Sequence, residues 1–94
     1  MRVVFREDAL DDLDRIYAWI AKDNPPAATA MVARIRDQIA FLELDSLAHM
    51  GRPGLVPGTR ELIEAPYIIV YKVDEQHWEV VVLAIFHCAQ DRSR

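Results

Sequence analysis

Apolar residues recur at helical spacing in the first half of this chain and form unbroken runs in the second half. A β-branched and aromatic run at residues 3–5 predicts a first strand. Two apolar stripes at spacings of three and four then predict two amphipathic helices, one over residues 7–22 and one from Pro25 to about residue 45, with Asn24 as its N-cap. The first stripe consists of Leu10, Leu13, Ile16, Tyr17 and Ile20, and the second of Ala28, Met31, Ile35, Ile39 and Leu42.

The second half of the chain alternates apolar runs with turn residues. After a loop rich in glycine and proline, residues 59–63, 67–73 and 78–86 read as three strands. The last two are apolar at nearly every position, so we expect them at the centre of the sheet or covered on both faces. The sequence therefore predicts a single α+β domain over residues 1–94, in the order β-α-α-β-β-β, with a helical hairpin packed on one face of a mainly antiparallel sheet. Leu13, Ile16, Ile35, Ile39, Val70 and Val82 should form its core.

Composition narrows the possible partners. Eleven Lys and Arg residues against fifteen Asp and Glu residues give a net charge of −4, which opposes non-specific binding to a nucleic-acid backbone. Direct sequence-specific nucleic-acid binding is not expected. The lone Cys88 and the lack of zinc-like Cys/His spacing predict no disulfide, metal or cofactor and fit a reducing cytoplasm. The sequence contains no run of eighteen apolar residues, so no membrane span is expected.

Two arginines lie in or beside the glycine-rich loop. The guanidinium of Arg60, at the start of a strand, could bind a phosphate or a carboxylate through two parallel hydrogen bonds. Alternatively it pairs with Glu61, Glu64 or another carboxylate nearby. Arg52 has the same two options, partner binding or simple solvation as a loop cation.

Three ring side chains are further candidates. His87 closes the last strand and could act as a general base near neutral pH, or it could make a structural hydrogen bond. Tyr67 and Tyr71 are four residues apart on one strand and therefore share a face. Either could stack on a base or on a partner side chain, and Tyr71 could equally pack in the core.

Several short motifs, in their order along the chain, carry a resemblance. They are EDALDDLDRIYAWIAKDNPPAA, MGRPG, GTREL and PYIIVYKV, followed by an apolar strand that closes on His87. The chain resembles the ParE branch of the RelE/ParE superfamily of toxins from residue 3 to about residue 92. The resemblance implies a toxin that binds and inhibits DNA gyrase without a catalytic site and is neutralised by a ParD-like antitoxin encoded beside it. The candidate partner-binding residues are Arg52, Arg60, Tyr67, Tyr71, His87 and Arg92.

Two other functions remain open at this point. RelE-type members cut messenger RNA on the ribosome, and in them an arginine typically follows the aromatic residue at the start of the strand that here begins with Tyr67. This chain has Ile68 there, so a nuclease would have to rely on His87 and Arg60. ParE-type chains commonly have a glycine and an arginine where this chain has Cys88 and Gln90. A degenerate, non-toxic binding protein is therefore the third possibility.

Overall fold

A computed structural model describes residues 1–89 of the chain. Five strands and two helices follow one another in the predicted order, with one short strand, β2, added in the glycine-rich loop. The three predicted C-terminal strands are displaced by no more than one residue at either end. The elements are β1 (Arg2–Phe5), α1 (Glu7–Ala21), α2 (Pro25–Ala40), β2 (Arg52–Pro53), β3 (Arg60–Glu64), β4 (Tyr67–Asp74) and β5 (Glu79–His87).

The five strands form one mixed sheet in the order β1-β5-β4-β3-β2. Neighbouring strands are antiparallel except β1, which runs parallel to β5. The two strands that are apolar throughout, β4 and β5, occupy interior positions, as their composition predicts. The fold class inferred from the sequence is therefore confirmed.

The short link between α1 and α2 determines that the two helices form a hairpin. The Asn24 side chain accepts a hydrogen bond from the backbone N–H of Ala27, 3.1 Å away, and Pro25 begins α2. This cap starts the second helix almost immediately after the first has ended, so the two helices pack against each other as an antiparallel pair. The buried residues are Ala9, Leu13 and Ile16 of α1 and Ala28, Met31, Ile35 and Ile39 of α2.

Two predictions about the helices are wrong. Leu10 and Tyr17, which the spacing places on the buried face, are each 42% exposed, because they lie on one flank of a stripe whose buried residues are Leu13 and Ile16. The second helix ends at Ala40, and two 3₁₀ turns, Phe41–Glu43 and Asp45–Leu47, follow it. The apolar spacing hides this end, because a 3₁₀ turn keeps residues three apart on one side and so leaves Leu42 buried.

The two faces of the sheet have different surroundings. On one face, alternate residues of the central strands join the two helices in a single buried cluster that includes Ile69, Tyr71 and Val82. On the other face, which we call the open face, Ile68 is buried but Val70 is only half-buried. The prediction that Val70 is a core residue is therefore wrong, because strand alternation points it away from the helices.

Truncation of either side of the core should be costly. Ile16→Ala and Val82→Ala should each lower the free energy of unfolding by about 1 to 4 kcal/mol, because both remove buried methyl groups and leave a cavity. Ile63→Ala, at an exposed position of β3, is the matched control and should change it by less than about 0.5 kcal/mol. Chemical denaturation measures all three. Near-neutral effects at both Ile16 and Val82 would contradict this packing.

Candidate partner-binding site

Gly51 fixes the glycine-rich loop on the sheet. Its backbone N–H donates to the phenolic oxygen of Tyr71 at 2.9 Å, and its carbonyl accepts from Nη1 of Arg60 at 2.6 Å. A Cβ at this position would lie 2.7 Å from the carbonyl oxygen of Glu61 and 2.8 Å from the Tyr71 hydroxyl oxygen. Glycine is therefore required for the backbone to approach the sheet this closely.

Arg60 holds the same loop from the other side. Its Nη1 also donates to the carbonyl of His49 at 3.1 Å. Of the two options for Arg60, pairing with Glu61 or Glu64 is not formed in this structure. Within residues 1–89 this guanidinium contacts no carboxylate, and its Nε and Nη2 have no hydrogen-bond partner. Arg60 is thus a positioned cation whose charge is not neutralised by a neighbour in the described part of the chain.

Arg52 has the opposite environment. Its Nε and Nη2 both lie 3.1 Å from Oε1 of Glu61, a carboxylate that is only 3% exposed. The two residues are register partners, and Glu61 alternates with Arg60 along β3. Arg52 therefore belongs to the open face and Arg60 to the face that carries Tyr71. Although both arginines lie in or beside the same loop, they do not form one cluster. Arg52 is an ion-paired residue rather than a freely solvated cation.

An open cleft of about 300 Å³ lies at the base of the β2–β3 hairpin. The hairpin is closed by the backbone hydrogen bond from Gly54 to Thr59, 2.8 Å long, and its tip presents Leu55 and Val56, which are 66% and 64% exposed. Sequence reasoning missed this pair, although two adjacent aliphatic residues between Gly54 and Pro57 signal an apolar loop tip. The cleft is lined by His49, Pro53, Gly58, Thr59, Arg60 and Val73.

The predicted tyrosines lie in the core. Tyr67 and Tyr71 are both buried and face the helices, so neither presents its ring to a partner in this structure. Burial raises the pKa of both, and for Tyr71 it outweighs the lowering effects of the Gly51 hydrogen bond and the Arg60 charge. Of the two options for Tyr71, core packing is the one that the structure supports.

His87 contacts Tyr67 at the far end of the sheet. The two rings meet edge to face with centroids 5.5 Å apart, and Nδ1 of His87 accepts from the backbone N–H of Ala89. The structure therefore gives His87 a local structural role. As partner-binding residues, Arg52, Arg60 and His87 stay predictions, and Arg92 lies outside the described residues.

The two residues needed for a nuclease do not converge. Arg60 is opposite Tyr71 in the register, whereas His87 is opposite Tyr67. Those positions are four residues apart on β4, or about 13 Å, and lie on strands that flank it on opposite sides. Ile68, at the position of the nuclease arginine, is a 3% exposed apolar residue of the open face. Within residues 1–89, no three His, Cys, Asp or Glu side chains are grouped to hold a metal ion.

Comparison with known proteins assigns the chain to a family. Residues 3–92 match the model that describes the ParE toxin of the parDE type II toxin–antitoxin system. The chain belongs to the ParE toxin family. It is 42% identical over 87 residues to the putative toxin Y4kP of Sinorhizobium fredii, an alignment that covers 87% of this chain and 82% of the relative.

Solved structures place the ParE-type chain among toxin–antitoxin proteins. It is similar to a chain of the chromosomal ParDE system from P. aeruginosa, with 30% identity, a TM-score of 0.79 and coverage of 93% of this chain and 95% of that one. A chain of the RelBE2 toxin–antitoxin complex from Mycobacterium tuberculosis shares 27% identity with a TM-score of 0.58, covering 92% and 95%. The isolated RelE toxin of E. coli, 12% identical with a TM-score of 0.67, covers 97% and 87% and shows the shared fold alone. Within residues 1–89, no helix has the length and apolar character needed to cross a membrane.

Adding one methyl group at Gly51 should loosen the loop. Gly51→Ala should lower the free energy of unfolding by about 1 to 3 kcal/mol, because the new Cβ collides with backbone and with the Tyr71 ring. Tyr71→Phe should cost about 1 kcal/mol through the lost buried hydrogen bond. The double variant should cost less than the sum of the two, since removal of the hydroxyl relieves part of the clash. Full additivity in denaturation experiments would contradict this contact.

The pKa of Asp74, the last residue of β4, should depend on the neighbouring His77. Hydrogen bonds from the ring and the backbone N–H of His77 hold the pKa of Asp74 below its ordinary 3.8. Since the folded value is depressed, the stabilisation is fully present above about pH 3.8 and is lost as the pH falls through the lower folded value. NMR titration should show the Asp74 pKa rising in His77→Ala. His49→Ala is the control, because His49 pairs with Glu75 and not with Asp74, and it should leave the Asp74 pKa unchanged.

Proposed function

We propose that this ParE family toxin inhibits DNA gyrase by binding it, without a catalytic site of its own, and that an antitoxin holds it inactive. The observation that carries the first part is the dispersal of the nuclease candidates. Arg60 contacts the glycine-rich loop, His87 lies beside Tyr67 at the other end of β4, and Ile68 is buried on the open face. A gyrase target would place the toxin in the cytoplasm.

Ribonucleolytic cleavage demands a tighter arrangement. A base must reach the 2′-hydroxyl within hydrogen-bond distance, and a cation must stabilise the phosphorane charge at the same phosphate. Arg60 and His87 are separated by two strand spacings, about 10 Å, in addition to the offset along β4. A binding toxin has no such requirement, because its affinity comes from a surface and not from a few converging groups.

The proposed antitoxin partner is supported by the neighbours of this chain and by its own loop. The ParDE and RelBE2 structures are those of toxin–antitoxin systems. In this chain, residues 46–60 contain Arg52 and Arg60 but neither Asp nor Glu, although the chain as a whole has a net charge of −4. A partner with carboxylates on its surface would find its complement there.

Supercoiling and translation assays with purified toxin, together with a growth test, distinguish the three functions. With gyrase and plasmid DNA, we expect inhibition of supercoiling or accumulated gyrase–DNA breaks, and with translating ribosomes we expect intact messenger RNA. His87→Ala should weaken toxicity only in part, because it removes one contact from a surface and not a catalytic group. Messenger RNA cut within codons, with supercoiling untouched and cleavage abolished in His87→Ala, would establish the ribonuclease. Normal growth, supercoiling and translation at full expression would indicate a non-toxic binding protein.

A further inference from the structure

The two loop arginines differ in what they can still bind. Arg52 directs both Nε and Nη2 at the buried carboxylate of Glu61. Arg60 uses only Nη1, for the carbonyls of His49 and Gly51. The edge of the Arg60 guanidinium formed by Nε and Nη2 therefore keeps its hydrogen-bonding capacity within residues 1–89. That edge is one of the two geometries in which arginine binds a carboxylate through parallel hydrogen bonds.

We propose that the cleft at the base of the β2–β3 hairpin binds a carboxylate side chain of the antitoxin through Nε and Nη2 of Arg60. The inference rests on the antitoxin partnership proposed above and adds the site and the chemistry of the contact. Arg60 lines the cleft, whose volume of about 300 Å³ exceeds that of an Asp or Glu side chain. Arg52, already satisfied by Glu61, is not part of this contact.

The Arg60 guanidinium is ordered before any partner arrives. Its two hydrogen bonds to backbone carbonyls hold it in one position, so binding does not have to immobilise a flexible cation. His49, which also lines the cleft, pairs with the carboxylate of Glu75, with Nε2 and Oε1 3.5 Å apart. A carboxylate from outside would thus be the first to neutralise Arg60.

The rim of the cleft indicates what should accompany that carboxylate. Leu55 and Val56 project from the hairpin tip, while Pro53 and Val73 contribute apolar wall. An acidic residue beside aliphatic residues on an amphipathic segment fits this combination. A nucleic-acid phosphate could use the same guanidinium edge, but the net charge of −4 opposes the approach of a polyanion.

The first test compares affinities for the antitoxin encoded beside the toxin gene. Arg60→Gln should weaken binding by about tenfold or more, because a desolvated carboxylate loses its cationic partner. Arg60→Lys should lose less, because it keeps the charge but not the two-pronged geometry. An unchanged dissociation constant for Arg60→Gln would overturn the proposal.

A double-mutant cycle then identifies the contact. Each Asp and Glu of the antitoxin is changed to its amide and combined with toxin Arg60→Gln or with the matched variant Arg52→Gln. At one acidic position, the amide variant of the antitoxin should bind wild-type toxin about tenfold more weakly than the unchanged antitoxin does. The same change should lower the affinity for Arg60→Gln only slightly, and the affinity for Arg52→Gln by the full tenfold. Additive losses at every acidic position would overturn the proposal, because a purely structural role of Arg60 produces no such coupling.

Because Arg60 also connects the loop to the sheet, thermal unfolding of each free variant is measured first. If Arg60→Gln does not fold, the cycle is run with Arg60→Lys.

A nucleic-acid probe tests the alternative ligand. Loss of binding to a single-stranded 20-nucleotide probe in the Arg60 variants, with antitoxin affinity intact, would assign the cleft to phosphate and overturn the proposal. Failure of wild-type toxin to bind the antitoxin at all would refute the partnership itself, and this is distinguishable from unchanged binding by the variants.

Discussion

The close approach of Gly51 to Tyr71 is the constraint on which the arrangement of the functional surface depends. A backbone that lies within hydrogen-bond distance of a buried phenol leaves no space for a side chain, so the loop can be docked only through glycine. Arg60 completes the contact by bonding the Gly51 carbonyl. The same contact thus anchors the loop and positions the cation that lines the neighbouring cleft.

Strand alternation divides the conspicuous residues of this chain between two faces and two ends of one sheet. Tyr67 and Tyr71 share a face with Arg60 and His87, yet the tyrosines fill the core while the two polar side chains lie about 13 Å apart along the sheet. Arg52 is on the other face. Arg60 and His87 therefore do not converge on one point, as proton transfer between a base and a stabilised substrate would require.

The sequence predicts the elements of this fold better than it predicts the partners of its polar side chains. Apolar spacing, the Asn24 cap and the two apolar strands are local signals, and each corresponds to an element of the structure. The partner of Arg60 could not be predicted in this way. Backbone carbonyls have no sequence signature, and Glu61, adjacent in the chain, points to the opposite face and binds Arg52. The predictions of a buried Val70 and of a longer α2 were also wrong. The burial of Val70 depends on which sheet face the helices cover, and the end of α2 is hidden by a 3₁₀ turn that preserves the apolar spacing.

The parallel pairing of β1 with β5 affects when the protein can fold during its synthesis. Arg2 is aligned with Glu79, 77 positions later in the chain, and β1 is an edge strand with β5 as its neighbour in the sheet. Contacts that span this much of the chain form slowly and late. A nascent chain that has not yet produced β5 lacks the strand against which β1 and α1 pack, and it therefore cannot form the folded toxin on the ribosome. Completion of the sheet is then coupled to the synthesis of β5, so shorter stretches of the chain cannot present the folded surface.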